Sequence, residues 1–100
     1  MSDTAPDFLV HRDGDSVAVA VRDLTPGTVH GGCLDGTGDL SAELRDPVNL
    51  GHKFALVDIA DGADVTEYGV RVALATRAIG KGEHVHVHNV RSARWQTSVA

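Results

Sequence analysis

Ile79-Gly80-Lys81-Gly82-Glu83-His84-Val85-His86-Val87-His88-Asn89 joins a glycine-closed turn to three histidines at alternate positions. An aliphatic residue three places before a glycine marks a tight turn. The glycine supplies positive φ, and the aliphatic side chain anchors the turn on the core. The same punctuation occurs at Leu24-Thr25-Pro26-Gly27, Val48-Asn49-Leu50-Gly51 and Ile59-Ala60-Asp61-Gly62. Turns at such short spacing, flanked by runs rich in Val, Ala and Thr, predict many short strands. The strands expected are 8–11, 16–20, 29–33, 40–44, 54–59, 64–66, 70–76 and 84–89, with Asp13-Gly14 as a hairpin turn before the second. Residues 73–75 have helical propensity, but the flanking turns leave too little length for a stable helix. The expected fold class is all-β.

A strand points residues i, i+2 and i+4 to one face. Read as a strand, 84–89 presents His84, His86 and His88 on one side and sends Val85 and Val87 into a core. Next-but-one residues on a strand lie about 6–7 Å apart. Two neighbours, His86 and His88, can therefore converge on one metal ion, whereas all three cannot without a bend. The same alternation describes the solvated polar face of an edge strand. Spacing alone leaves both readings open.

The chain of 100 residues fits one small domain with a modest core, to which only four aromatics contribute (Phe8, Phe54, Tyr68, Trp95). Net charge is −5, with eleven Asp and only two Lys, which argues against a nucleic-acid partner. Cys33 is alone, so no intrachain disulfide forms. Residues 1–7 read as a frayed, disordered start rather than a signal peptide, residues 8–95 as the domain and residues 96–100 as a loose tail. Asp35-Gly36-Thr37-Gly38 reads as a flexible polar loop. No apolar run has the length of a membrane span, so the expected localisation is cytoplasmic. Ser-His-Asp order, phosphate loop and dinucleotide fingerprint are all missing, which disfavours nucleophilic catalysis. Asp58, Asp61 and Asp64 lack the remainder of a calcium loop and read as a solvated turn. Tyr68 reads as a ring packed over a turn, and His30 as a surface residue.

Gly51-His52-Lys53, Asp58-Ile59-Ala60-Asp61-Gly62, Tyr68-Gly69, Ile79-Gly80-Lys81-Gly82 and Val85-His86-Val87-His88-Asn89 follow one another at spacings that resemble the SAF domain of the altronate and galactarate dehydratase family. The resemblance runs from Phe8 to Trp95. It implies a compact β-clip type of fold. In that family the SAF domain is either the N-terminal piece of a long chain or a separate small subunit. This chain resembles the separate form, as in the alpha subunits of (2R)-sulfolactate sulfo-lyases. Such relatives eliminate water or sulfite beta to a carboxylate. Val70-Arg71-Val72-Ala73-Leu74-Ala75 departs from the polar residue and glycine common there, which leaves substrate choice open.

The resemblance therefore implies the small subunit of a two-subunit lyase acting on a hydroxy acid, inactive without its large subunit. It further implies a divalent metal (Fe2+, Mg2+ or Mn2+) shared with that partner, and allows a homo-oligomer. Elimination needs a held carboxylate, a base for the α-proton and help for the leaving group. His86 and His88 are the expected catalytic residues and metal ligands. His52, Lys53, Asn89 and His11 are expected to bind the substrate, Lys53 by bringing a cation to its carboxylate. Asn89 either orients an imidazole or serves as a turn residue, and only the resemblance places His11 in a pocket. The rival readings are a stand-alone SAF module that binds an acidic sugar or a metal without turnover, and a scaffold whose histidines merely face solvent.

Overall fold

The computed structural model describes residues 5–34 and 39–92. The polar loop expected at 35–38, the first residues of the expected frayed start, and the domain end and tail expected around and beyond Trp95 lie outside them. Among the described residues there are nine strands and no helix: β1 Phe8–Val10, β2 Val17–Ala20, β3 Gly27–Cys33, β4 Asp39–Leu44, β5 Lys53–Ala55, β6 Asp64–Glu67, β7 Val70–Ala75, β8 His84–Val85 and β9 Val90–Ser92. The expected all-β class is thus observed. No described helix is long and apolar enough to cross a membrane.

Six strands form one sheet in the order β4-β3-β1-β2-β5-β8, and the other three form a second, β6-β7-β9. β1 and β3 are parallel, and the remaining pairs are antiparallel. The four aliphatic-x-x-glycine turns pair two by two. Leu24 and Val48 exchange backbone hydrogen bonds of 2.8 and 3.0 Å, and Ile59 and Ile79 exchange two of 2.8 Å. All four aliphatic anchors are buried, and Gly27, Gly51, Gly62 and Gly82 all have positive φ. The repeat is therefore a device: each pair of turns closes one half of the molecule by a two-bond bridge.

Each half has its own apolar cluster. Phe8, Val10, Ala18, Leu24, Val48 and Phe54 belong to the first, with the two phenylalanine rings edge-to-face at 5.2 Å. Val17, Ile59, Val65, Ile79 and Val85 belong to the second. Full burial of such side chains contributes about 1.5–3 kcal/mol apiece. Ser16 and Thr66 join the halves. Ser16 N–H donates to the Thr66 carbonyl at 3.1 Å, and Thr66 N–H donates to Ser16 Oγ at 2.8 Å. This junction seats the end of β6 beside the turn between β1 and β2.

Three expectations about strands need correction. The fifth expected strand, 54–59, ends at Ala55, and Ile59 serves the turn bridge instead. β9 was not expected; it pairs with β7 through Ala73↔Ser92, Leu74↔Arg91 and Ala75↔Val90. The last correction concerns the histidines. Only His84 and Val85 form a strand, so the three imidazoles do not line one strand face, and Val87 is 80% exposed instead of packed. The reason is the partner strand. β8 runs antiparallel to β5 through Phe54↔His84 and Lys53↔Val85, and β5 begins at Lys53. Beyond Val85 the chain has no backbone partner from β5, and it turns.

Candidate functional site

Asn89 builds the turn. Its buried side chain accepts a hydrogen bond from His86 N–H at 3.0 Å and donates one to the His84 carbonyl at 2.8 Å. The His86 carbonyl in turn accepts from Asn89 N–H at 3.0 Å and Val90 N–H at 3.1 Å. Of its two expected roles, the structure assigns Asn89 backbone bonds of the turn. The turn folds His86 back over His84, the bend that a straight strand lacks.

His52 joins them from the turn after Gly51. Its ring stacks on His86 with centroids 4.3 Å apart and on His84 at 5.1 Å. His52 Nδ1 and His84 Nε2 share a hydrogen bond of 2.9 Å. One ligand nitrogen from each of His52, His84 and His86 lies within 4.8 Å of the others. The structure therefore groups His86 with His52 and His84. His88 stands at the rim, exposed, its ring tilted against His84 at 5.3 Å.

Electrostatics favour the neutral form of His84 and His86. Burial, then repulsion from His52, His88 and His86, holds His84 below the ordinary imidazole range, against a small opposing pull from Asp46. The Asp46 carboxylate also accepts His84 N–H at 3.0 Å. His86 is likewise lowered, by partial desolvation first and then by His52, His88 and Lys53. A neutral imidazole is the form that ligates a metal.

A cleft of about 490 Å³ opens beside the cluster, with Lys53, Glu67, His86 and Arg91 among its polar walls and Val65, Val72, Val85 and Val90 among its apolar ones. Glu67 is a residue that the sequence reading missed. It is only 4% exposed, with Oε1 at 3.7 Å from Lys53 Nζ and Oε2 at 2.8 Å from His11 Nδ1. His11 Nδ1 is buried and makes no regular hydrogen bond, so its approach to Glu67 is a close packing contact. A signal for Glu67 did exist: period-two alternation from buried Val65 points it inward. His11 contacts Glu67 and stacks on Tyr68 at 4.1 Å without itself lining the cleft. Tyr68 takes positive φ because the buried Asp15 carboxylate accepts both Tyr68 N–H and Gly69 N–H at 2.9 Å. His30 lies elsewhere, exposed, its N–H donated to Asp7.

The comparisons with known proteins agree with this architecture. The family model for the altronate/galactarate dehydratase SAF domain matches residues 6–93. The (2R)-sulfolactate sulfo-lyase subunit alpha of Chromohalobacter salexigens is 37% identical over 91 residues, spanning 89% of this chain and 97% of the relative. That relative's name marks it as one subunit of a multi-subunit enzyme. The altronate dehydratases of Escherichia coli and Bacillus subtilis are 45% and 35% identical over 78 and 83 residues. The chain spans only 15% and 16% of their lengths, so it matches a small portion of those enzymes. A family match across nearly all of the described residues, with a similar protein covered almost end to end, is decisive: the chain belongs to the altronate/galactarate dehydratase SAF domain family.

Proposed function

We propose that this chain is the small subunit of a two-subunit lyase that eliminates water or sulfite from a hydroxy acid, contributing imidazoles to an active site shared with a large subunit. The observation that carries the reading is the gathering of His52, His84 and His86 beside a cleft walled by Lys53. Coverage of 97% of a sulfo-lyase alpha subunit supports the two-subunit form.

The donor set fits a divalent metal. Nitrogens bonded at about 2.0–2.1 Å to one ion lie within about 4.2 Å of one another, so a spread of 4.8 Å needs only small side-chain adjustments. An all-imidazole set suits Fe2+ better than Mg2+ or Mn2+, which prefer oxygen ligands. When bound, the ion would supply a Lewis acid that polarises an oxygen of the hydroxy acid. Lys53 would hold the substrate carboxylate. His88, outside the group of three, keeps an imidazole for proton exchange, alongside His86.

The alternative, a binding module without turnover, draws support from the exposure of His86 at an open cleft and of His88 near it in the chain. One experiment separates the two. The chain is produced alone and together with a large subunit of the same lyase family, and elimination is assayed on sugar acids and sulfolactate. The isolated chain is expected to bind metal and turn over nothing, because one open wall cannot enclose a sugar acid. The complex is expected to turn over. Robust activity of the chain alone, or none in an assembled and metal-loaded complex, would sink the lyase reading as stated.

A further inference from the structure

Glu67 spends a buried carboxylate on two partners at the edge of a cleft. Removing a carboxylate from water costs several kcal/mol unless close cationic or hydrogen-bonding groups offset it. Replacement by an apolar residue is often no less stable. A charge kept at such a place is therefore better explained by what it holds than by stability. Lys53 Nζ is one thing it holds, at 3.7 Å, and the lysine side chain is only partly exposed. The carboxylate is itself packed from behind. His11 meets its second oxygen at 2.8 Å, and Tyr68 stacks on His11. Asp15 pins Tyr68 through two backbone hydrogen bonds of 2.9 Å that enclose the Tyr68-Gly69 peptide. A chain of contacts thus runs from a rigid turn to a flexible ammonium.

We infer that Glu67 is a positioning residue: it fixes the Lys53 ammonium at the cleft, beside His86, as the point that receives a substrate carboxylate, with His11, Tyr68 and Asp15 as its backing. This inference rests on the carboxylate-binding part of the reading above. A free lysine samples many rotamers, and tethering it removes that entropy before the anion arrives. Glu67 carries a negative charge, so the proposal opposes a simpler expectation. As a mere nearby charge, Glu67 would repel an anion, and removing it would tighten binding.

The chain contains only two lysines, Lys53 and exposed Lys81, so Lys81 serves as an internal standard. The full chain and its Glu67→Gln variant are treated with an amine-acylating reagent, and the Lys53-to-Lys81 labelling ratio is read by mass spectrometry. Binding of lactate, a small 2-hydroxy acid, is measured by NMR titration on both proteins. Glu67→Gln is expected to raise the labelling ratio several-fold and to weaken lactate binding about tenfold. Lys53→Met should weaken lactate binding similarly, and the double variant no further than Lys53→Met alone. If circular dichroism shows the Gln variant unfolded, Glu67→Asp gives the same readings at intermediate size, keeping the charge and shortening its reach. An unchanged labelling ratio overturns the inference. So does lactate binding that is absent in the wild-type chain, or that is equal or tighter in the variant. Lost elimination in the assembled complex, with both effects intact, overturns only the lyase reading.

Discussion

Asn89 cannot titrate, yet the imidazole cluster depends on it. The residue is 1% exposed, and its carboxamide satisfies His86 N–H and the His84 carbonyl. Asn89→Ala leaves both groups without these partners, and it should cost about 2–3 kcal/mol of stability, read from urea unfolding. Metal content at equal protein concentration should fall with it, since His86 loses the turn that folds it over His84. Asn89→Asp retains an acceptor for His86 N–H but buries a carboxylate against the His84 carbonyl, so its loss should be at least as large. Direct removal of a ring tests the cluster itself. His84→Ala should lower metal affinity by more than about 100-fold, and His30→Ala should leave it unchanged, as measured by metal analysis after dialysis. His30 is the control because its ring lies outside the cluster and its N–H bonds to Asp7. Equal metal retention in both variants would return His52, His84 and His86 to a stacked surface group.

Among the four glycine-closed turns, the one that leads into β8 is the most constrained. Gly82 has φ +89°, and a Cβ there would sit 2.1 Å from the Glu43 carbonyl oxygen. The Gly82 carbonyl also accepts Arg45 N–H at 2.9 Å, which ties the turn to the end of β4. Gly62, at φ +83°, occupies the matching position of the paired turn but has open space around its Cβ position. Gly62→Ala should therefore cost only the left-handed backbone penalty of about 1–2 kcal/mol. Gly82→Ala adds a backbone clash and should cost about 3 kcal/mol or more. Equal shifts in urea midpoint would mean that the approach to Glu43 relaxes freely. The turn motif was legible in the chain because its cause is local: glycine for positive φ, an aliphatic side chain for the anchor. The pairing of Leu24 with Val48 and of Ile59 with Ile79 was not, since nothing within a four-residue motif names its partner.

Across the whole molecule, charge couples the first described segment to the sheet. The Asp7 carboxylate accepts His30 N–H at 2.9 Å and pairs with Arg22. The backbone hydrogen bond from His30 is the main cause that holds Asp7 below its ordinary 3.8. Burial opposes it, and the bond and charge of Arg22 and the charge of His30 assist. A carboxylate lowered on folding stabilises the native state above its unfolded value, and the contribution fades as pH falls through the folded value. Asp7→Asn should accordingly be less stable than the wild type by about 1 kcal/mol at pH 7. The gap should close below about pH 4, as followed by thermal unfolding across pH. A gap of constant size would show that the Asp7 charge plays no part.

Two kinds of information separate in this protein. The all-β class, the four turns and the chemistry-bearing stretches 51–53 and 84–89 follow from neighbours in the chain, because turn propensity and hydrophobic spacing act over a few residues. The make-up of the cluster does not. His52 stands 32 residues before His84, and what unites them is that β5 begins at Lys53. That start leaves the chain beyond Val85 without a strand to pair with, and the unpaired backbone then curls onto Asn89. The exposed Val87 and the folded-back His86 are consequences of that missing partner. Glu67 sits on the same divide. Alternation along β6 points it inward, but its company of Lys53 and His11 arises only where the Ser16–Thr66 junction brings the two halves together. Long-range strand pairing set both sites, and it depends on the closure of the whole chain, which no local pattern encodes.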